Sequence, residues 1–139
     1  MKTYVLDNSA LIPLFFEEQG TEFIQNLLQE KEAEFIAPEF LAIELSNVFA
    51  TGIRRQKITK SEATQYLNMF QQLSLDLKKY PLQKNLQHVL DLATQTGLSL
   101  YDAVYLGLAE QQGAILVTHD KRLLNEAEKQ GVSIIPNEV

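Results

Sequence analysis

Four acidic residues fall at points of the sequence where a carboxylate could take part in chemistry. Asp7 ends the apolar run TYVLD, and Asp120 ends the run AILVTHD. Asp102 follows Ser99 by three residues at the start of an apolar segment, and Glu44 lies inside another such segment, PEFLAIELSNVF. Clustered carboxylates can hold a divalent cation, and a cation held in this way can activate water and neutralise charge on a phosphate.

Three of these acids have an ordinary structural interpretation. Asp7 and Asp120 each precede a predicted helix, where an Asp side chain commonly caps free backbone N–H groups. Asp102 fits a capping box with Ser99, because it stands at the third helical position. Taken one at a time, these three residues are as consistent with helix capping as with binding a ligand.

Glu44 has no such role available, because it lies inside the predicted helix. Asn47 and Thr51 follow it at helical spacing, in a polar stripe about one residue per turn wide between apolar positions. Either this stripe is a solvated face, or a mostly buried helix presents Glu44 and Asn47 to a polar cleft. In the second case the carboxylate needs a cation or a proton, because leaving it buried and unpaired costs several kcal/mol.

The sequence offers few internal cations for these acids. Three of the four have no Lys or Arg within four residues, and only Asp120 does, beside Lys121 and Arg122. A divalent metal would satisfy several carboxylates at once. Oxygen ligands, in a chain without cysteine or a paired His motif, favour Mg²⁺, with Mn²⁺ as a possible substitute, over Zn²⁺.

Apolar periodicity predicts the elements that position these residues. Short apolar runs predict strands at 3–7, 34–38, 75–80 (an edge strand), 114–118 and 132–136. Helical spacing predicts helices at 8–16, 21–32, 39–55, 59–73, 84–96, 99–113 and 121–130. This alternation favours an α/β fold, a three-layer α/β/α sandwich with a mostly parallel central sheet of four to five strands. Asp7 and Asp120 then stand at the carboxyl ends of parallel strands, where such sheets bind ligands.

Length and composition limit the class of protein. The 139 residues are the size of one ordinary domain, so we expect a single domain over 1–139. No apolar run approaches the roughly 18 residues of a membrane-spanning helix, and Asp7 interrupts the apolar region that a signal peptide would need, so the sequence predicts a cytoplasmic protein without a membrane partner. A formal net charge of −6 argues against a protein that coats nucleic acid, but not against a nuclease whose acids hold a cation.

Together these segments resemble the PIN domain, and in particular the VapC toxins, the ribonucleases of bacterial type II toxin–antitoxin pairs. The matching segments span nearly the whole chain: YVLDNSALIPLF, PEFLAIELSNVF and GLSLYDAVYLGLAEQQGAILVTHDKRL. The resemblance implies a PIN-like domain whose catalytic metal site is formed by Asp7, Glu44, Asp102 and Asp120. It also implies supporting hydrogen bonds from Ser9, Asn47 and Thr118.

The resemblance implies an enzyme as well, an endoribonuclease that hydrolyses RNA phosphodiester bonds and leaves 5′-phosphate and 3′-hydroxyl ends. On this hypothesis Asp7, Glu44 and Asp102 bind the principal Mg²⁺, while Asp120 supports it or binds a second one. A protein antitoxin and a second copy of the chain in a homodimer are the implied partners.

RNA also has to be held near the acids. The segment GIRRQKITK is basic without an acid and continues the helix that carries Glu44. We therefore expect contacts with the RNA backbone from Arg54, Arg55, Lys57, Lys121 and Arg122. The same basic segment is equally typical of a solvated helix end, where positive charge interacts favourably with the helix dipole.

Several alternatives stay open. A PIN fold could serve as a non-catalytic RNA-binding or assembly module, or as a solitary RNA-processing nuclease. A haloacid dehalogenase-type phosphatase needs a second Asp where this chain has Ser9, and a receiver domain needs a late Lys that is not clearly placed.

We expect no ligand role for His88 or His119 and a surface position for Asp91. Six aromatic residues are expected in the core or an interface rather than in base stacking: Phe15, Phe16, Phe49, Phe70, Tyr101 and Tyr105.

Overall fold

The computed structural model describes residues 1–77 and 80–136. In chain order, the described elements are β1 (Lys2–Leu6), α1 (Asn8–Phe15), α2 (Thr21–Leu28), β2 (Ala33–Ile36), α3 (Leu41–Arg54), α4 (Lys60–Gln72), β3 (Leu75–Asp76), α5 (Leu82–Thr96), α6 (Leu100–Gln112), β4 (Ile115–Thr118), α7 (Lys121–Lys129) and β5 (Ile134–Pro136). Every predicted helix and strand has its counterpart among them.

The strands form one five-stranded sheet in the order β3-β2-β1-β4-β5, and every neighbouring pair is parallel. Among the helices before β3, α1 contacts α2 and α3, and α3 contacts α4; among the helices after it, α6 contacts α5 and α7. Right-handed crossovers place these two groups on opposite faces, because the chain moves outward to β3 and then returns across the sheet to β4. The predicted three-layer α/β/α sandwich with a parallel sheet is confirmed.

Two predicted elements differ most from their predicted bounds. The helix predicted over 21–32 ends at Leu28, and Glu32 takes a left-handed φ of 58° as the chain turns into β2. The strand predicted over 75–80 is confirmed as an edge strand for Leu75–Asp76, and Lys78 and Lys79 of that prediction lie outside the described residues.

The central strands β1 and β4 are buried to their carboxyl ends. Leu6 and Val117 are 0% exposed, as expected for strands covered by helices on both sides. The N–H of Asp7 continues the ladder by donating to the carbonyl of Val117 at 3.3 Å. The sheet therefore carries Asp7 and Thr118 side by side at its carboxyl edge.

Helix α6 packs against the sheet, as its nearly uniform apolar character predicted. Residues Ala103 to Ala109 are all buried, and α6 contacts both β1 and β4. On α6, Gly107 leaves room for the Tyr80 side chain, since an added Cβ would lie 3.0 Å from the Tyr80 hydroxyl. In the described part of the chain, no helix combines the length and apolarity needed to cross a bilayer.

Candidate active site

Asp7 lies at the junction of β1 and α1 and is only 5% exposed. Its Oδ1 accepts hydrogen bonds from the Ala10 N–H at 3.0 Å and from Ser9 Oγ at 2.7 Å. Its Oδ2 accepts one from the Thr118 hydroxyl. Asp7 is therefore the cap of α1 and, at the same time, a carboxylate fixed from two neighbouring strands.

The surroundings of Ser9 and Thr118 direct both hydroxyl protons toward Asp7. The His119 N–H donates to Ser9 Oγ at 2.8 Å, and the Asp120 N–H donates to Thr118 Oγ1 at 3.0 Å. Each hydroxyl thus accepts from one backbone N–H and donates its single proton to the carboxylate, and the two hydroxyl oxygens lie 3.1 Å apart. These are hydrogen bonds of the kind predicted for Ser9 and Thr118, and their support of a bound metal stays a prediction.

Burial makes ionised Asp7 costly in spite of these donors. The pKa of Asp7 is raised from 3.8 to about 6 as the net result of several causes: burial, the largest, raises it, the bonds from Thr118, Ser9 and Ala10 lower it, and the charge of Asp102 raises it. A pKa shifted by burial and a neighbouring acid, at the ligand-binding edge of a sheet, is typical of a functional carboxylate.

Glu44 projects from the first turn of α3 and is partly buried. Its Oε1 accepts a hydrogen bond of 2.6 Å from the Tyr105 hydroxyl. Burial raises the pKa of Glu44, the Tyr105 bond lowers it, and the charge of Asp102 raises it. The structure thus favours a polar cleft at Glu44. Asn47, one turn on, is exposed and makes no hydrogen bond to the four acids among the described residues, so its supporting role stays a prediction.

Asp102 lies in the first turn of α6. The predicted Ser99 cap is confirmed, because the Asp102 N–H donates to Ser99 Oγ at 3.1 Å. The capping box is complete only in α4, where Thr59 and Glu62 exchange both bonds; in the described residues, α6 lacks the return bond from its acid. The Ser99 side chain nevertheless interacts with the Asp102 carboxyl group, and this hydrogen bond lowers the pKa of Asp102.

Asp120 caps α7 through its Oδ1, which accepts from the N–H groups of Arg122 at 2.9 Å and Leu123 at 3.2 Å. Its charge also raises the pKa of Asp102, after burial as the larger cause. Arg122 has the opposite effect on Asp102 and is held in place by a 2.7 Å bond from its Nη2 to the Gly97 carbonyl. The Arg122 guanidinium is therefore held by a hydrogen bond close enough to Asp102 to stabilise its charge.

The four acids act on one another electrostatically, with Asp102 at the centre. Its charge raises the pKa of Asp7 and of Glu44, and Asp120 raises that of Asp102. Four separate elements thus bring their carboxylates to one edge of the sheet. Within residues 1–77 and 80–136, no three acidic or His side chains are already close enough to hold one metal ion. Carboxylates without a cation between them repel one another, which opposes such a close arrangement.

The donor set nevertheless fits a hard divalent cation. The candidate ligands offer only oxygen, and no described Lys or Arg forms an ion pair with any of the four acids. A carboxylate can accept about four hydrogen bonds, and Asp7 accepts three, so a lone pair is left. Mg²⁺ prefers such ligands.

The predicted RNA contacts lie at two places, one at the end of α3 and one beside Asp120 at the start of α7. Arg54, Arg55 and Lys57 are exposed, and Arg54 Nη2 donates to Thr51 at 3.1 Å. Arg54 comes ten residues after Glu44, about 15 Å further along α3. Lys121 is exposed directly after Asp120. The RNA contacts of these residues stay predictions.

The structure also places the remaining residues that were singled out from the sequence. His88 lies 3.7 Å from Glu110, and His119 lies beside Gly20, where an added Cβ would be 3.2 Å from its Cε1. Asp91 is exposed, as predicted. Of the six aromatic residues, four are buried, Phe16 is partly buried, and Tyr101 is 59% exposed.

Sequence reasoning assigned Tyr105 to the core and missed its contact with Glu44. Tyr105 is 1% exposed, and burial and Glu44 both raise the pKa of its hydroxyl, which stays a donor. The available signal was its spacing of three residues from Asp102, which places both side chains on one face of a helix.

A PIN domain family model matches residues 4–129 of this chain. Ribonuclease VapC3 of Pyrobaculum aerophilum is 29% identical over 132 residues, which are 95% of this chain and 98% of that protein.

Solved structures with a similar fold include PAE2754 from Pyrobaculum aerophilum, with a TM-score of 0.71 and 25% identity over 96% of this chain and 90% of that one. FitAcB from Neisseria gonorrhoeae has a TM-score of 0.64 and 12% identity, over 96% of this chain and 97% of that one. At that identity, FitAcB shows likeness of fold alone. The family match covers most of the chain, and the chain belongs to the PIN domain family.

Proposed function

We propose that this protein is a Mg²⁺-dependent endoribonuclease and the toxin of a toxin–antitoxin pair. Its family and its similarity to a ribonuclease along 95% of the chain make it a nuclease that hydrolyses phosphodiester bonds. The observation that carries the finer proposal is the mutual charge interaction of Asp7, Glu44 and Asp120 with Asp102, without an ion pair to a described Lys or Arg.

In this proposal Asp7, Glu44 and Asp102 hold the principal metal, and Asp120 supports it or holds a second one. When bound, the cation supplies a water of lowered pKa and neutralises charge that develops on the phosphate. Ser9 and Thr118 fix the direction of the Asp7 carboxylate by donating to both of its oxygens. The same bonds hold Asp7 at the sheet edge while RNA enters and leaves.

The protein also has to hold RNA against its own net charge of −6. Arg54, Arg55 and Lys57 would bind the RNA backbone at a distance from the four acids. Lys121 would bind it next to the acids. Arg122 would act closer, because it is fixed to Gly97 and already interacts with Asp102. Positive groups at these two places would orient a strand across the acidic site.

The partner proposals rest on the similarity to the VapC relative. We expect a protein antitoxin that covers the acidic site, a homodimer, and a cytoplasmic location. Large apolar side chains available to protein partners include Ile43, 72% exposed, and Leu90, 51% exposed.

One observation favours a second candidate, a non-catalytic RNA-binding or assembly module with the same fold. No three of the described acidic or His side chains are placed to share a metal ion. A binding module would need no such arrangement, whereas a nuclease must bring the carboxylates together when the metal binds.

The test is cleavage of a mixed RNA pool by purified protein, with Mg²⁺, with chelator, and with Asp102→Asn beside the wild type. Asp91→Asn is the matched control, because Asp91 is an exposed acid that pairs with Gln87 on α5. Metal-dependent cleavage that is lost in Asp102→Asn and kept in Asp91→Asn would support the nuclease. RNA binding without cleavage, in folded protein and without a need for metal, would favour the binding module.

A further inference from the structure

Tyr105 joins the helices that carry two of the candidate ligands. It lies on α6 three residues after Asp102, and its hydroxyl reaches across to Glu44 on α3 with a hydrogen bond of 2.6 Å. The two bonded residues are 61 positions apart in the sequence. The buried Tyr105 hydroxyl therefore links the orientation of the Glu44 carboxylate to the position of α6 relative to α3.

The tyrosine is itself held by Phe40, which precedes α3. The Phe40 and Tyr105 rings meet edge to face, with centroids 5.4 Å apart and an interplanar angle of 86°. The Phe40 carbonyl accepts the N–H of Glu44 at 2.9 Å. Phe40, Tyr105 and Glu44 therefore form a closed ring of contacts, which limits the rotamers open to the long Glu side chain.

The donor is neutral, and this matters for a metal ligand. A Lys or Arg at this place would fix Glu44 equally well but would neutralise the charge that attracts a cation. A phenol fixes one carboxylate oxygen and leaves the charge. Among the described residues, the second oxygen of Glu44 has no hydrogen-bond partner, so it is available to a cation.

We propose that Tyr105 is a positioning residue, whose hydroxyl fixes Glu44 through Oε1 and leaves Oε2 for the divalent metal. This inference rests on the proposed function, since it assumes that Glu44 is a metal ligand. It predicts that loss of one buried hydroxyl weakens metal binding without disturbing the fold.

The experiment compares Tyr105→Phe with wild type by calorimetric titration of Mn²⁺ in the absence of RNA. The matched control is Tyr101→Phe, because Tyr101 lies on the same helix and also meets the Phe40 ring, at 5.2 Å, but makes no described hydrogen bond through its hydroxyl. We expect Mn²⁺ to bind about tenfold or more weakly to Tyr105→Phe, the usual effect of losing a group that orients a metal ligand, and unchanged to Tyr101→Phe. RNA cleavage by Tyr105→Phe should recover at saturating Mn²⁺, because the ligands themselves remain.

A double-mutant cycle with Glu44→Gln tests whether the effect passes through Glu44. In the Glu44→Gln background, Tyr105→Phe should weaken Mn²⁺ binding no further. Equal weakening in both backgrounds would overturn the proposal, and so would wild-type Mn²⁺ affinity in folded Tyr105→Phe.

The two hypotheses fail in different ways. If the wild type cleaves RNA and folded Tyr105→Phe binds Mn²⁺ normally, only the role of Tyr105 is lost. If Tyr105→Phe weakens Mn²⁺ binding but the wild type never cleaves RNA, the positioning role stands and the nuclease does not. A wild type that binds no Mn²⁺ overturns both.

Discussion

The candidate site has a sheet half and a helix half, and they hold their carboxylates differently. In the sheet half, Asp7 is fixed at both oxygens by three donors that belong to the β1–α1 and β4–α7 junctions. In the helix half, Glu44 is fixed at one oxygen by the Tyr105 side chain. Donors at the ends of two paired strands place the first carboxylate, and a side chain from another helix places the second.

This difference has an energetic side. Asp7, in the sheet half, is almost fully buried. Its burial therefore raises its pKa by more than the three hydrogen bonds lower it. Glu44 and Asp102 are only partly buried, and water shares in stabilising their charge. The candidate site therefore combines a buried carboxylate held by three hydrogen bonds with carboxylates that are more exposed to water.

The largest effect should come from removing the charge of the sheet half. Asp7→Asn should lower Mg²⁺-dependent RNA cleavage on the order of a thousandfold or more, since a member of a catalytic unit is lost. Single-turnover cleavage rates, with Asp91→Asn as the control, measure this. Near-normal cleavage by Asp7→Asn would mean that the sheet half is structural only.

The same residue should make the stability of the metal-free protein depend on pH. The pKa of Asp7 is about 6 in the folded protein against 3.8 normally, so its contribution is fully present below pH 3.8 and is lost as the pH rises through about 6. The loss amounts to roughly 3 kcal/mol. Urea unfolding from pH 4 to pH 8 should show this decline for the wild type and a smaller one for Asp7→Asn. The same slope in both proteins would assign the decline to other groups.

Removing one hydroxyl from each half should have a smaller, unequal effect. Thr118→Val deletes a fully buried hydroxyl that donates to Asp7 and accepts from the Asp120 N–H, and it should destabilise the fold by roughly 1–3 kcal/mol. Ser99→Ala removes the cap of α6 at the more exposed end, at a cost of about 1 kcal/mol. Chemical denaturation of both variants compares the halves directly. A larger cost for Ser99→Ala would reverse the comparison.

The smallest effect should come from the basic end of α3, outside both halves. Alanine at Arg54 and Arg55 should lower RNA cleavage a few-fold at low salt and reduce its salt dependence, by a slope of about 0.7 for each lost phosphate contact. The matched control is alanine at Lys2 and Lys31, which are exposed near the opposite edge of the sheet, where β1 and β2 begin. If both pairs of alanine substitutions had equal effects, Arg54 and Arg55 would contribute only positive charge and no specific contact with the RNA.

Local pattern predicted the elements because each signal lies within a few residues. In the structure β1 ends at Leu6, directly before Asp7, and β4 ends at Thr118, and the capping box predicted for α4 is complete. The predicted end of α2 was wrong because it depends on the tertiary structure. The helix stops at Leu28, since the chain must turn there to enter the sheet as β2.

The sequence also left one ambiguity that only packing could resolve. Asp102 fits a cap as well as a ligand, and its position beside Asp120 and Arg122 depends on how α6 lies against α7. Similarly, the sequence predicted an RNA contact for Arg122, but its hydrogen bond to Gly97, 25 residues away, is seen only in the structure.

The sequence by itself determined the order of strands and helices and the types of the four acids, because apolar periodicity and residue chemistry are local properties. The tertiary structure alone decided that Asp102 interacts with the other three acids and that Tyr105 holds Glu44. Those contacts join residues far apart in the chain, and they exist only once the parallel sheet brings its carboxyl ends together and α6 packs across them.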